Sequence, residues 1–140
     1  MIFVLDCSIA CAWLFEDEQD AEADRILQVM TETSAVVPSL WYLEITNVLT
    51  LAVRRGRITQ QSSHKAFSLL KALPIVADQY PIDKSIQTTA TLAREFSLTS
   101  YDAAYLELAL RRDLPISSLD KKLLQAARKA GVSIFTGQEL

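Results

Sequence analysis

Four acidic residues of this sequence sit in apolar company: Asp6 ends the run MIFVLD, Glu44 lies in YLEITNVL, Asp102 in SYDAAYLELA and Asp120 in SSLDKKLL. A carboxylate in such surroundings is costly unless it is paired or holds a cation. Four ionised groups brought within a few ångströms of one another repel strongly, and one or two divalent cations turn that repulsion into affinity. Carboxylate oxygens are the ligands that Mg²⁺ and Mn²⁺ prefer, and a site for phosphodiester cleavage needs several of them around an open, hydrated position. Ions held there can polarise a phosphate, generate hydroxide from water and hold the leaving oxygen. Ser8 and Ser118 stand two residues from Asp6 and Asp120 and can orient a carboxylate or a bound water.

Each acid also has a structural explanation. Asp6 can be a turn or cap carboxylate ahead of a helix starting near Ser8. Glu44 shares the stripe Trp41, Glu44, Val48, Leu51, Ala52 of its helix, and can pack its stem down at the edge of that stripe. Asp102 in a first turn complements the helix dipole, with Ser100 as cap. Asp120 before an apolar-periodic segment is a good N-cap, with Lys121 and Lys122 beside it to neutralise it. The chemical reading rests on the four together. Glu107, five positions after Asp102, points about 140° away at ~100° per residue and is expected to be solvated.

The elements that must position these acids alternate along the chain. The pattern predicts a strand over 2–5, a helix capped by Ser8 and running to Phe15, and a second helix carrying Ile26, Leu27 and Met30. A short strand over 35–37 precedes a long helix over 40–55 capped by Ser39, with Gly56 at its end and an antiparallel partner over 59–73. Then follow a short strand at 75–77, helices over 82–96 and 100–112, a strand over 116–118, a helix over 119–130 stopped by Gly131, and a last strand over 132–135. Short apolar runs between helices point to an α/β fold, a mostly parallel sheet covered on both faces. Ligands of such sheets bind beyond the carboxyl ends of the strands, where Asp6 and Asp120 fall.

With 140 residues, half of them hydrophobic and 22% charged, the chain fits one domain over 1–140 with a proper core. No apolar run is long enough to span a bilayer, and no signal peptide opens the sequence, so a cytoplasmic protein is expected. Cys7, Cys11 and the lone His64 are too few for a structural zinc site; the cysteines read as buried thiols and His64 as solvated. The net charge of −3 argues at first against nucleic acid. Four carboxylates that bind cations leave the exposed balance, however, and the remainder is slightly positive. Arg54, Arg55 and Arg57, Arg111 and Arg112, and Lys121, Lys122, Arg128 and Lys129 form three basic groups that can equally complement helix ends. Lys121 and Lys122 adjoin Asp120 and are the candidates to reach a phosphate. Trp13, Phe15, Trp41 and Tyr42 read as core or dimer contacts at least as well as base-stacking platforms.

The succession VLDCS, YLEITNVL, SYDAAYLELA and SSLDKKLLQAARKAGV resembles the PIN-domain ribonucleases, in particular the VapC toxins of type II VapBC toxin-antitoxin pairs, over essentially the whole chain. The resemblance implies a PIN-like three-layer α/β sandwich and places the family's catalytic and metal-binding acids on Asp6, Glu44, Asp102 and Asp120. Ser118 stands where threonine is frequent, and Ser8 matches the polar residue after the first acid. It further implies a Mg²⁺- or Mn²⁺-dependent endoribonuclease, a toxin held inactive by a cognate VapB-like antitoxin, and a homodimer. Two other classes compete. A catalytically silent PIN-like interaction module would show no cation-linked gain in stability. A receiver or aspartate-nucleophile phosphatase also uses a strand-end Asp, but wants further acids where this chain has Cys7 and Ser8.

Overall fold

A computed structural model of the chain describes residues 1–140. Four strands, β1 (Ile2–Leu5), β2 (Ser34–Val37), β3 (Ile75–Ala77) and β4 (Ile116–Ser117), form one parallel sheet in the order β3-β2-β1-β4. Strand β1 lies inside the sheet, and Phe3, Val4 and Leu5 are wholly buried, which is why IFVL reads as a continuous apolar run and not an alternating one. Register pairs Val4 with Ile116 and Leu5 with Ser117, so β1 and β4 finish side by side.

Seven helices flank the sheet: α1 (Cys7–Leu14), α2 (Ala21–Val29), α3 (Leu40–Arg54), α4 (Gln60–Ala72), α5 (Ile82–Phe96), α6 (Ser100–Arg112) and α7 (Lys121–Lys129). They fall into two packed groups. In one, α6 lies on β1 and β4 with α5 and α7 against it; in the other, α1 packs on α2 and α3, and α3 pairs with α4. Helix α3 buries Trp41, Ile45, Leu49 and Ala52, steps of three and four that make one face, and leaves Glu44 half-buried at its edge. No helix is long and apolar enough to cross a membrane.

Several local expectations need correction. Ser8 lies in the first turn of α1, and Asp6 occupies the cap position. Ser39 is helical in backbone and makes no side-chain cap bond. Thr99, not Ser100, caps α6, its hydroxyl accepting from the Asp102 N–H at 3.1 Å. Helix α7 begins at Lys121, two residues later than expected, because Asp120 is its cap. The final strand shrinks to one bridge, Ile116 to Ile134, since β4 is itself two residues long and offers little to pair with. Phe135 still anchors this segment, stacked on Phe3 with ring centroids 4.2 Å apart.

Glu107 is the largest correction: it is buried, not solvated. Helix α6 is covered by α5 on one side and the sheet on the other, and residues 105–109 are all buried. The Glu107 carboxylate is matched by Arg111 one turn on, at 2.8 Å, and Arg111 reaches on to Asp78 at 2.5 Å.

Candidate active site

Asp6 leaves β1 directly onto α1, and its backbone N–H donates to the Ser117 carbonyl at 3.0 Å, locking the ends of β1 and β4 together. The residue is 6% exposed. Oδ2 accepts hydrogen bonds from the Ser8 and Ser118 hydroxyls, both at 2.6 Å. Ser8 Oγ in turn accepts from the Leu119 N–H at 2.9 Å, and Ser118 Oγ from the Asp120 N–H at 3.0 Å. The two serines thus tie the first and last acids into one network across more than a hundred residues of chain.

Burial pushes the Asp6 carboxyl above its ordinary value, Asp120 nearby pushes the same way, and the two serine hydroxyls oppose this by bonding the charged form. Glu44 accepts from the Tyr105 hydroxyl, which holds it at the rim of α3. Its carboxyl is also raised, by burial first and then by Asp6 and Asp102, with the Tyr105 bond opposing. Asp102 is raised by burial and by Asp6 and Asp120, against which the Thr99 bond and Lys122 pull it down. Asp120 turns one oxygen inward to its helix: Oδ1 accepts from the Lys122 and Leu123 N–H groups at 2.9 and 3.1 Å. Asp120 therefore caps α7, and its charge also bears on Asp6 and Asp102.

The structure brings Glu44, Asp102 and Asp120 within electrostatic reach of Asp6, and none of the four forms an ion pair with Arg or Lys. The side chains stop short of a closed cage: nowhere do three His, Cys, Asp or Glu groups gather tightly enough to hold an ion by themselves. A set of separated hard-oxygen donors with unmatched negative charge fits a cation that keeps several waters, as Mg²⁺ does, better than one fully wrapped by protein. Donor chemistry and charge fit a divalent cation; a soft metal finds no matching set here.

Lys121 and Lys122 are exposed, and Lys122 bears on Asp102. Among the other cations, Arg57 is committed elsewhere, bridging Asp17 and Glu18 at 2.6 and 2.8 Å over the Phe15 ring. Trp41 is buried, and the Trp13 indole donates to the Ala23 carbonyl at 2.7 Å, so both serve packing. An apolar cavity of about 300 Å³ opens between α5 and α6, and none of the four acids lines it. Sequence reasoning missed Tyr105 and Thr99. Tyr105 stands three residues after Asp102, on the same helical face, and that spacing was the available signal.

The model of the PIN domain matches residues 3–129. The chain belongs to the PIN-domain family. Solved structures share the fold of this PIN domain at low identity. VapBC2 from Rickettsia felis, bound to a DNA fragment from their promoter, matches with a TM-score of 0.68 and 10% identity over 96% of this chain and 98% of that one. FitAcB from Neisseria gonorrhoeae matches with a TM-score of 0.66 and 14% identity over the full length of both chains. VapC20 from Mycobacterium tuberculosis, a sarcin-ricin loop cleaving toxin, matches with a TM-score of 0.61 and 15% identity over 90% of this chain and 95% of that one. No curated protein sequence matches.

Proposed function

We propose that this PIN domain is a Mg²⁺- or Mn²⁺-dependent endoribonuclease, the toxin of a type II toxin-antitoxin pair, with its 140 residues working as one unit in the cytoplasm. One observation carries the reading: carboxylates from three distant segments, Glu44, Asp102 and Asp120, all bear on Asp6 where β1 and β4 end, and none of the four forms an ion pair with Arg or Lys. Asp6 and Asp102 are the chief candidates to hold an ion, assisted by Glu44 and Asp120. A divalent cation bound there supplies Lewis-acid polarisation of a phosphate and eases deprotonation of the attacking water.

The chain's own residues set the geometry. Ser8 and Ser118 fix Asp6 Oδ2 and so orient its carboxylate. Tyr105 holds Glu44 by one oxygen, and the backbone of α7 holds Asp120 by one oxygen, so each acid keeps a second oxygen for a ligand. Lys121 and Lys122, exposed on the first turn of α7, can meet the phosphates flanking the scissile bond. A VapB-like antitoxin is the proposed inhibitor, by analogy with VapBC2 and FitAcB. A second copy of the chain is the proposed companion, and the exposed Ile82, Ile86 and Tyr101, which line the apolar cavity, support it.

The test is cleavage of RNA by purified protein. Cutting is expected with Mg²⁺ or Mn²⁺, to stop with chelator, and to fall by at least about a hundredfold in Asp6→Asn or Asp102→Asn. Cleavage indifferent to chelator and to both substitutions removes the mechanism, and no cleavage at all leaves the silent interaction module as the better reading.

A further inference from the structure

Cys7 and Cys11 take no part in the proposed chemistry. Both are free and buried, at 9% and 8% exposure, and their sulfurs face each other 3.8 Å apart across one turn of α1. A single buried thiol is ordinary packing. Two that touch, one of them next to Asp6 in the chain, form a pair beside the carboxylate site. We propose that Cys7 and Cys11 are a peroxide-oxidisable dithiol whose disulfide disarms the site around Asp6. The effect on cleavage rests on the nuclease reading; formation of the bond does not.

The argument is one of distance. A disulfide brings sulfurs to about 2.05 Å and β-carbons to about 3.8 Å. Residues one turn apart on an intact helix keep their β-carbons about 5–6 Å apart. Closing the bond therefore draws the two side-chain roots together by more than an ångström, which a regular first turn does not allow. The first turn of α1 carries the strain, next to the bonds that hold Asp6 to Ser117, Ser8 and Ser118. Its cap residue, Asp6, makes no side-chain cap bond, and its first turn holds no acid to offset the exposed N–H groups. The far end is held by Phe15, whose N–H donates to the Cys11 carbonyl at 3.0 Å and whose ring is buried under Arg57. Movement thus falls on Cys7, and with it on Asp6 and Ser8 on either side. The two 2.6 Å bonds to Asp6 Oδ2 do not survive a displacement of that size.

The chemistry balances with one peroxide. The Cys11 sulfur, 3.8 Å from that of Cys7, attacks a peroxide oxygen. The O–O bond breaks, an S–O bond forms, and the Cys11 proton leaves with the departing oxygen as water. The Cys7 sulfur then displaces the new hydroxyl: the S–S bond forms, and a second water carries off the Cys7 proton. Two sulfurs give up two electrons, and hydrogen peroxide is reduced to two waters. Reduced thiols of the cell restore the pair, so such a bond is transient in a reducing compartment.

Full-length protein treated with hydrogen peroxide is expected to lose the mass of two hydrogens, stay a single chain on a non-reducing gel, and refuse alkylation at both cysteines until dithiothreitol is added. RNA cleavage, measured on the same samples, is expected to fall about a hundredfold, the usual cost of an ångström's misplacement, and to return with dithiothreitol. Cys7→Ala and Cys11→Ala are expected to keep basal cleavage and lose the sensitivity to peroxide. Thiols still open to alkylation, a cross-link between chains, or a disulfide that leaves cleavage intact each overturn the proposal. If cleavage is absent before peroxide is added, the nuclease reading fails, and mass and alkylation still decide whether the dithiol closes.

Discussion

Asp6 is the most deeply buried of the four acids. Two serine hydroxyls stabilise its charge while burial and Asp120 oppose it, and burial prevails, so the carboxyl is raised. Glu44 and Asp102 are raised for related reasons. A carboxyl whose folded pKa lies above its unfolded value makes the folded chain bind more protons than the unfolded one in the interval between the two. Its cost is absent below the unfolded values, ordinarily 3.8 for Asp and 4.5 for Glu, and grows as pH rises through the raised folded values. The metal-free protein is therefore expected to lose thermal stability from these three groups as pH climbs toward neutrality. Asp6→Asn should show a flatter pH profile and a neutral-pH Tm at or above that of the parent, even though its cleavage is lost. A Tm of Asp6→Asn that falls well below the parent's across the same range contradicts this account and makes Asp6 a structural acid.

Among the elements, α6 decides how firmly the site is held, because it carries both Asp102 and Tyr105. Its far end is fixed by Arg111, which joins buried Glu107 to Asp78 just after β3 and lies 4.3 Å over the Tyr80 ring. Arg111→Met leaves Glu107 buried without its cation and is expected to cost on the order of 3 kcal/mol in denaturant unfolding. Adding Glu107→Gln should recover much of that loss, and a double variant no better than the single would remove the pairing as the cause. This cluster was not legible in the sequence. Periodicity shows that α6 is apolar nearly all round, but not that α5 covers the flank on which Glu107 lies, and Asp78 is thirty-three residues from Arg111. The same limit explains Ser8: its type and its distance from Asp6 marked it as useful, while its role inside the first turn depends on β4 arriving alongside. Where an element's own pattern was sufficient, as for α5 and for α6 over Ser100–Arg112, bounds were readable from sequence.

For the whole molecule, the parallel sheet is what converts sequence separation into proximity. Pairing β1 with β4 sets Ser118 on Asp6, 112 residues away, while α3 and α6 bring Glu44 and Tyr105 together across 61. The four acids were legible because each breaks an apolar pattern, whereas how closely their oxygens approach depends on side-chain angles that no pattern records. Exposed Ile82, Ile86 and Tyr101 bear on assembly, and light scattering is expected to give twice the chain mass; a monomer at all concentrations removes the homodimer. The central claim, that these carboxylates are tolerable together because they take a cation, is tested most directly by the thermal midpoint in a Mn²⁺ titration. Binding confined to the folded state raises Tm with concentration; the account predicts such a rise for the parent and its loss in Asp6→Asn and Asp102→Asn. A parent Tm that Mn²⁺ leaves unmoved, or an equal rise in both variants, contradicts it.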